Sequence, residues 1–287
     1  MKFFLFIFFI SIFLSSCVKN NPDPAWIEVN KWTLESNPNA MYEEGELSQN
    51  ITDACVFVDE KMMGIFEVPF KIPVLKSGGV NIKIYPVIRN NGISASKKIY
   101  PFLSYHEINT DIIQNKTLTI NPKTHYNSNV KFWIEDFEDA TIKIENDPIS
   151  KVQIHSGDNP TVLKYGNFYG RVTLDASDSL WFGYTNGHLI LPKGGKEVYL
   201  EIDYYNTNSL TTGLIAETSL DSKNNINIQL NKQDISTIQW KKIYIDLKEL
   251  VSYSTSAEYF EISFQALYEA GLPQTDIYLD NIKLVYN

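Results

Sequence analysis

Cysteine is almost missing from this chain: Cys17 and Cys55 are the two in 287 residues. Cys17 closes an apolar leader, which leaves Cys55 without a partner and rules out an internal disulfide framework. Within Ala54-Cys55-Val56-Phe57-Val58, with nothing basic beside it, Cys55 is expected to be a small buried hydrophobe. Histidine is also scarce. His106, His125, His155 and His188 are scattered, and no His-Glu-x-x-His pair is present. There is no Gly-x-Ser-x-Gly elbow and no phosphate loop. The dense acidic run from Glu135 to Asp139 does not offer a recognisable pair of general acid and base. The sequence is therefore read as non-enzymatic. Basic residues are in deficit, 25 against 34 acidic, for a formal charge of −9. Without a basic cluster, nucleic acid is excluded as a partner, because phosphates need Lys and Arg.

Long apolar runs are missing too. Phe3 to Leu14 is apolar apart from Ser11, too short for the roughly 20 residues that cross a bilayer. Met1-Lys2, this run and Leu14-Ser15-Ser16-Cys17 have the layout of a secretory signal. Leu-Ser-Ser-Cys resembles a bacterial lipobox. The resemblance implies a signal peptide over 1–16, cleavage before Cys17, and acyl chains on Cys17 as a membrane anchor. Losing Lys2 moves the charge from −9 to −10. Residues 17–25 are polar with two prolines and are read as a spacer.

What the chain has in quantity is short alternating segments between turn residues. Val56 to Phe66 reads as strand, turn, strand. Val80 to Tyr85 and Lys116 to Ile120 alternate cleanly, and Gly78-Gly79 marks a turn. A polar stretch at Asn121 to Asn129 divides residues 26–128 from 129–287. In the second part, Val198, Leu200, Ile202 and Tyr204 are expected on one face of a strand. Tyr199, Glu201, Asp203 and Tyr205 are expected on the other. About nine or ten such strands, with one helical turn near Asp246 to Ser252, point to a jelly roll. The fold class is all-β: a small β-sandwich followed by a jelly-roll β-sandwich.

The chain's last segment carries the most information. Ile277 and Leu279 have odd numbers and Ile282 and Leu284 even ones, so the apolar face changes parity at Asp280-Asn281. One extra residue there, a β-bulge, restores a single buried face. Phe132-Trp133-Ile134-Glu135-Asp136-Phe137-Glu138-Asp139 opens the same region. If these first and last strands pair, two acidic corners meet, and hard oxygen ligands favour calcium.

"Trp-x-Glu-Asp-Phe-Glu-Asp" with "Tyr-Leu-Asp-Asn-Ile-Lys-Leu-Val" resembles the two ends of a galactose-binding-like jelly roll, the fold of many carbohydrate-binding modules. The resemblance implies a structural calcium, assigned to Glu138 and Asp280, and a glycan ligand. Residues 54–85 are similar to PEGA-type, immunoglobulin-like modules, which serve as spacers or protein contacts. Together these features resemble a Bacteroidetes-type surface lipoprotein at the outer membrane or cell surface. The function expected is non-catalytic glycan binding; the alternative is an adhesin-like subunit contacting an envelope protein. Sugar sites combine exposed rings with amides and carboxylates, and Trp181, Tyr184, Tyr199 and Tyr205 are the expected ligand-binding rings.

Overall fold

The computed structural model describes residues 23–287, and its regular structure is almost entirely β. The first ten strands are β1 (Ala25–Val29), β2 (Thr33–Leu34), β3 (Asp53–Val58), β4 (Lys61–Glu67), β5 (Phe70–Val74), β6 (Gly78–Arg89), β7 (Lys97–Ile99), β8 (His106–Ile112), β9 (Thr117–Ile120) and β10 (Lys123–Thr124). They form a five-stranded sheet, β4-β3-β6-β7 with β8 on the free side of β6. Facing it are a three-stranded sheet, β5-β1-β9, and the β2–β10 pair. The β3–β4 hairpin turns at Asp59 and Glu60, whose φ values of +46° and +61° suit a tight two-residue turn. Asp59 then accepts the Asn81 amide at 2.8 Å and fixes the hairpin to β6. Alternation gives this body its core: Ile27, Val29, Val56, Ile82 and Ile84 are fully buried.

The remaining strands are β11 (Lys131–Glu135), β12 (Ile144–Asn146), β13 (His155–Gly157), β14 (Tyr169–Asp175), β15 (Leu180–Thr185), β16 (Val198–Asn206), β17 (Leu210–Glu217), β18 (Ser222–Leu230), β19 (Lys241–Asp246), β20 (Tyr259–Leu267) and β21 (Gln274–Tyr286), with a short helix α1 (Lys248–Tyr253) before β20. One sheet runs β13-β14-β21-β16-β19, with β11 also on β21; the other runs β12-β15-β20-β17-β18. From β14 to β17 each successive strand changes sheet, and β18 to β21 do so again. All pairings are antiparallel. This crossing order is that of a jelly-roll sandwich.

The closing strand behaves as its parity predicts. β11 and β21 pair antiparallel, Phe132 opposite Val285 and Trp133 opposite Leu284. On its other side β21 pairs β16, and the register slips between Glu201 and Asp203. Asn281 there has φ +45°, a left-handed conformation that Asn tolerates better than most residues. The slip puts Ile277, Leu279, Ile282 and Leu284 together in the sandwich core, each with no exposure.

The sheet containing β16 has a second covered face. Tyr199, Tyr244 and Val285 belong to the core of the first body, not to that of the sandwich. Tyr100 packs edge-on against Tyr199 at 5.1 Å and at a tilt against Tyr244 at 5.0 Å. Asn90, just after β6, bridges Tyr244 in parallel. Strand β6 thus spans the first body, roughly 35 Å at the usual rise per residue, and delivers its end to the second.

Candidate functional site

The outer face of the β16 sheet is divided in two. Its first half lies under the first body and is polar yet closed. Glu201 accepts hydrogen bonds from the Tyr100 hydroxyl at 2.6 Å and the Tyr126 hydroxyl at 3.0 Å, and pairs with Lys242 at 3.0 Å. Lys242 also donates to Ser48 at 3.0 Å, and Ser48 donates to Asp203. Lys283 donates to the carbonyls of Glu44 and Glu46. Burial alone would raise the Glu201 carboxyl, but Lys242 and Lys283 overcome it and hold the group below the usual range. Burial and the neighbouring Lys242 charge push Lys283 down to about 8.

The second half is not covered by the first body. There Arg171 of β14, Tyr278 of β21 and Tyr205 of β16 stand opposite one another across three strands. A row of rings crosses the sheet. Tyr169 meets Tyr278 at 5.4 Å, Tyr278 meets Tyr205 at 5.3 Å, and Tyr205 meets Trp240 at 5.9 Å. Tyr169 and Tyr278 are buried, whereas Tyr205 and Trp240 are half-buried. Arg171 sits 5.6 Å over the Tyr278 ring and is oriented by Asp276, its Nε donating to Oδ1 at 3.0 Å. Thr173 donates to the same oxygen at 2.7 Å. The Trp240 indole donates to the Val162 carbonyl at 2.6 Å, which ties the loop after β13 to the row.

A polar groove lies at each end of this row. One, of about 610 Å³, is lined by Tyr169, Arg171, Lys151, Gln153, His155 and Asn159. The other, of about 520 Å³, is lined by Trp240, Lys241, Lys164, Gln239 and, from the first body, Asn50 and Arg89. Rings with amides and charges on a floor of strands offer apolar stacking and directed hydrogen bonds together.

Of the four rings expected from sequence, Tyr205 lies in this row. Trp181 and Tyr199 correct that expectation. Trp181 has no exposure, stacks on Phe264 at 6.1 Å inside the sandwich, and donates its indole N–H to Asn146 at 2.9 Å. Tyr199 is equally buried between the bodies, donating to Asn90 at 2.8 Å. Tyr184 is half-buried on the outer face of the opposite sheet, beside Phe182, so it cannot share a site with Tyr205. Sequence reading missed Trp240 and Tyr278 as ring contacts. The signal was present in the even numbers of Asp276 and Tyr278, which face outward where the odd-numbered Ile277 and Leu279 face the core.

The two acidic corners do meet. Burial first, then the charges of Asp203, Asp136 and Glu138, push Asp280 up to about 8. The Glu138 carboxylate is already engaged by N–H donors. Glu138 Oε1 accepts the backbone amides of Asn167 at 2.6 Å and Phe168 at 2.8 Å, and its Oε2 accepts the Asn167 side chain at 3.0 Å. Gly166 is required there, at φ +53°, because a Cβ would strike the Glu138 carboxylate. Glu135 is spent on the amides of Phe137 and Lys143. Among the described residues no group of three or more His, Cys, Asp or Glu is placed to hold a metal ion. Asp280 Oδ2 and Asp203 Oδ1 are left buried without partners, on residues that face each other across β16 and β21.

No family model matches the chain, and no curated protein matches it. Among solved structures, a family 29 carbohydrate-binding module is 11% identical, with 54% of this chain and 85% of that one covered, at a TM-score of 0.34. The CBM22-1–GH10 modules of Clostridium thermocellum xylanase 10B, solved with xylohexaose, are 15% identical, with 54% and 28% covered, at 0.38. TmCBM61, solved with β-1,4-galactotriose, is 12% identical, with 50% and 87% covered, at 0.32. The fold assignment above rests on the strands themselves, not on these similarities.

Proposed function

We propose that the second body binds an extended glycan without transforming it. The rings open to a ligand are Tyr205 and Trp240, backed by the buried Tyr278 and Tyr169, with a polar groove at each end of the row. The observation that carries this reading is the division of one sheet face: half is sealed by the first body, and the other half is left with half-buried rings, an oriented arginine and two grooves. Asp276, held by Arg171 and Thr173, serves to position the arginine.

The same proposal makes the protein a lipoprotein, anchored through Cys17, which lies outside the described residues. Among those residues no helix is long and apolar enough to cross a membrane. The first body then acts as a spacer. The chain joins it at Asp23, and β6 leads from that end to the second body, so the ring row is carried away from the anchor. A glycan array probed with the chain from Val18 onward tests the reading. Binding to one class of polysaccharide supports it, and flat responses across plant, host and bacterial glycans overturn it.

A further inference from the structure

One end of the first body gathers four pieces of chain. Asn115 donates to the Pro24 carbonyl at 3.0 Å and, through its side chain, to Asp23 at 3.0 Å, so the turn after β8 lies beside the start of β1. Val74 at the end of β5 is opposite Ala25. Lys76, two residues on, pairs with Asp59 in the β3–β4 turn. Between these pieces lies an apolar groove of about 600 Å³, lined by Pro24, Val58, Met63, Pro73, Val74 and Leu75. Leu75 is 64% exposed and Ile113, in the neighbouring turn, 53%. Lys61 and Lys76 stand at the rim, and Lys116 is exposed beside Ile113. Asp59, paired with Lys76, lines the groove as well, which leaves Lys61 and Lys116 as the cations beside the apolar residues, a composition that suits a headgroup layer.

The position of the patch chooses its occupant. Cys17 is six residues before Asp23, so an anchor there lies within about 20 Å of this end, the reach of six extended residues. We infer that this end of the first body rests on the lipid surface, with Leu75 and Ile113 entering the boundary between headgroups and acyl chains. The inference rests on the anchor reading for its geometry. It adds that the body itself is a second membrane contact beside the acyl chains.

The test separates the two. The chain from Val18, carrying an amino-terminal hexahistidine tag, is held on vesicles of phosphatidylethanolamine and phosphatidylglycerol containing a nickel-chelating lipid, which replaces acylation. An environment-sensitive fluorophore is attached through Leu75→Cys or, for reference, through Tyr253→Cys, whose site is 79% exposed on the second body. Lipids spin-labelled near the headgroup should quench the Leu75 label about twofold more than the Tyr253 label, with a blue shift only when vesicles are present. Ile113→Glu should abolish that difference. Equal quenching at both positions overturns the inference, as does a blue shift that appears without vesicles. Mass analysis of Cys17 in the natively exported protein decides the anchor separately: an unmodified Cys17 removes the anchor while the vesicle result still stands or falls by itself.

Discussion

The Tyr100 hydroxyl donates to Glu201 Oε1 across 2.6 Å, and that bond passes from the first body into the second. Both residues are fully buried. A carboxylate in such a place is tolerated only with full pairing, and Tyr126 and Lys242 complete it. Tyr100→Phe should cost about 1.5–3 kcal/mol, the usual worth of a hydrogen bond to a charged group. Lys242→Met should cost more, about 3–5 kcal/mol, because Glu201 and Asp203 are left uncompensated. Urea unfolding should show one transition for both bodies, moved by either substitution. Two separate transitions, only one of them moved, would contradict a shared interface.

Asp280 makes stability depend on pH. Its carboxyl is held at about 8 in the folded chain against an ordinary 3.8, with burial the leading cause. Between those values the folded chain keeps a proton that the unfolded chain has lost. Its contribution is full below the unfolded value and is lost as pH rises through the folded one. Relative to the wild type, Asp280→Asn should therefore gain stability as pH rises from about 4 to about 8, by on the order of a few kcal/mol. Glu261, pushed to about 7 by burial and by Glu217 and Glu145, should leave a shallower decline in the variant. Parallel pH profiles for the two proteins would show that Asp280 is not the source.

Chelation addresses the same corner from another side. With Glu138 committed to three N–H interactions, the melting temperature should be unchanged by a chelator at neutral pH. A fall of several degrees, restored by calcium, would show that Asp280 and Asp203 hold an ion.

Much of this was legible in the residues. The parity change at Asp280-Asn281 located the bulge, because a strand has a period of two and a core admits one face. The β3–β4 hairpin was legible as strand, turn, strand, whereas the β11–β21 pairing entered the sequence reading only as a condition, supported by the resemblance of the two ends to a jelly roll. The β16 strand shows where that rule stops. Its alternation separated Val198, Leu200 and Ile202 from Tyr199, Glu201 and Asp203 correctly. It also implied that the polar set faced water. The first body covers that set, and only the partner surfaces of Tyr100, Tyr126 and Lys242, distant in sequence, could have said so. Trp181 illustrates the same limit: a β-forming aromatic looks alike on either face until its neighbours are known.

The central claim is that the ring row on the uncovered half of the β16 sheet takes a glycan, and titration calorimetry on the best ligand from an array tests it most directly. Tyr205→Ala should weaken binding about tenfold, a loss of ~1.4 kcal/mol, while Tyr184→Ala on the opposite sheet should leave affinity within about twofold of wild type. Affinity that survives Tyr205→Ala and collapses in Tyr184→Ala would contradict it and move the site to the other face of the sandwich.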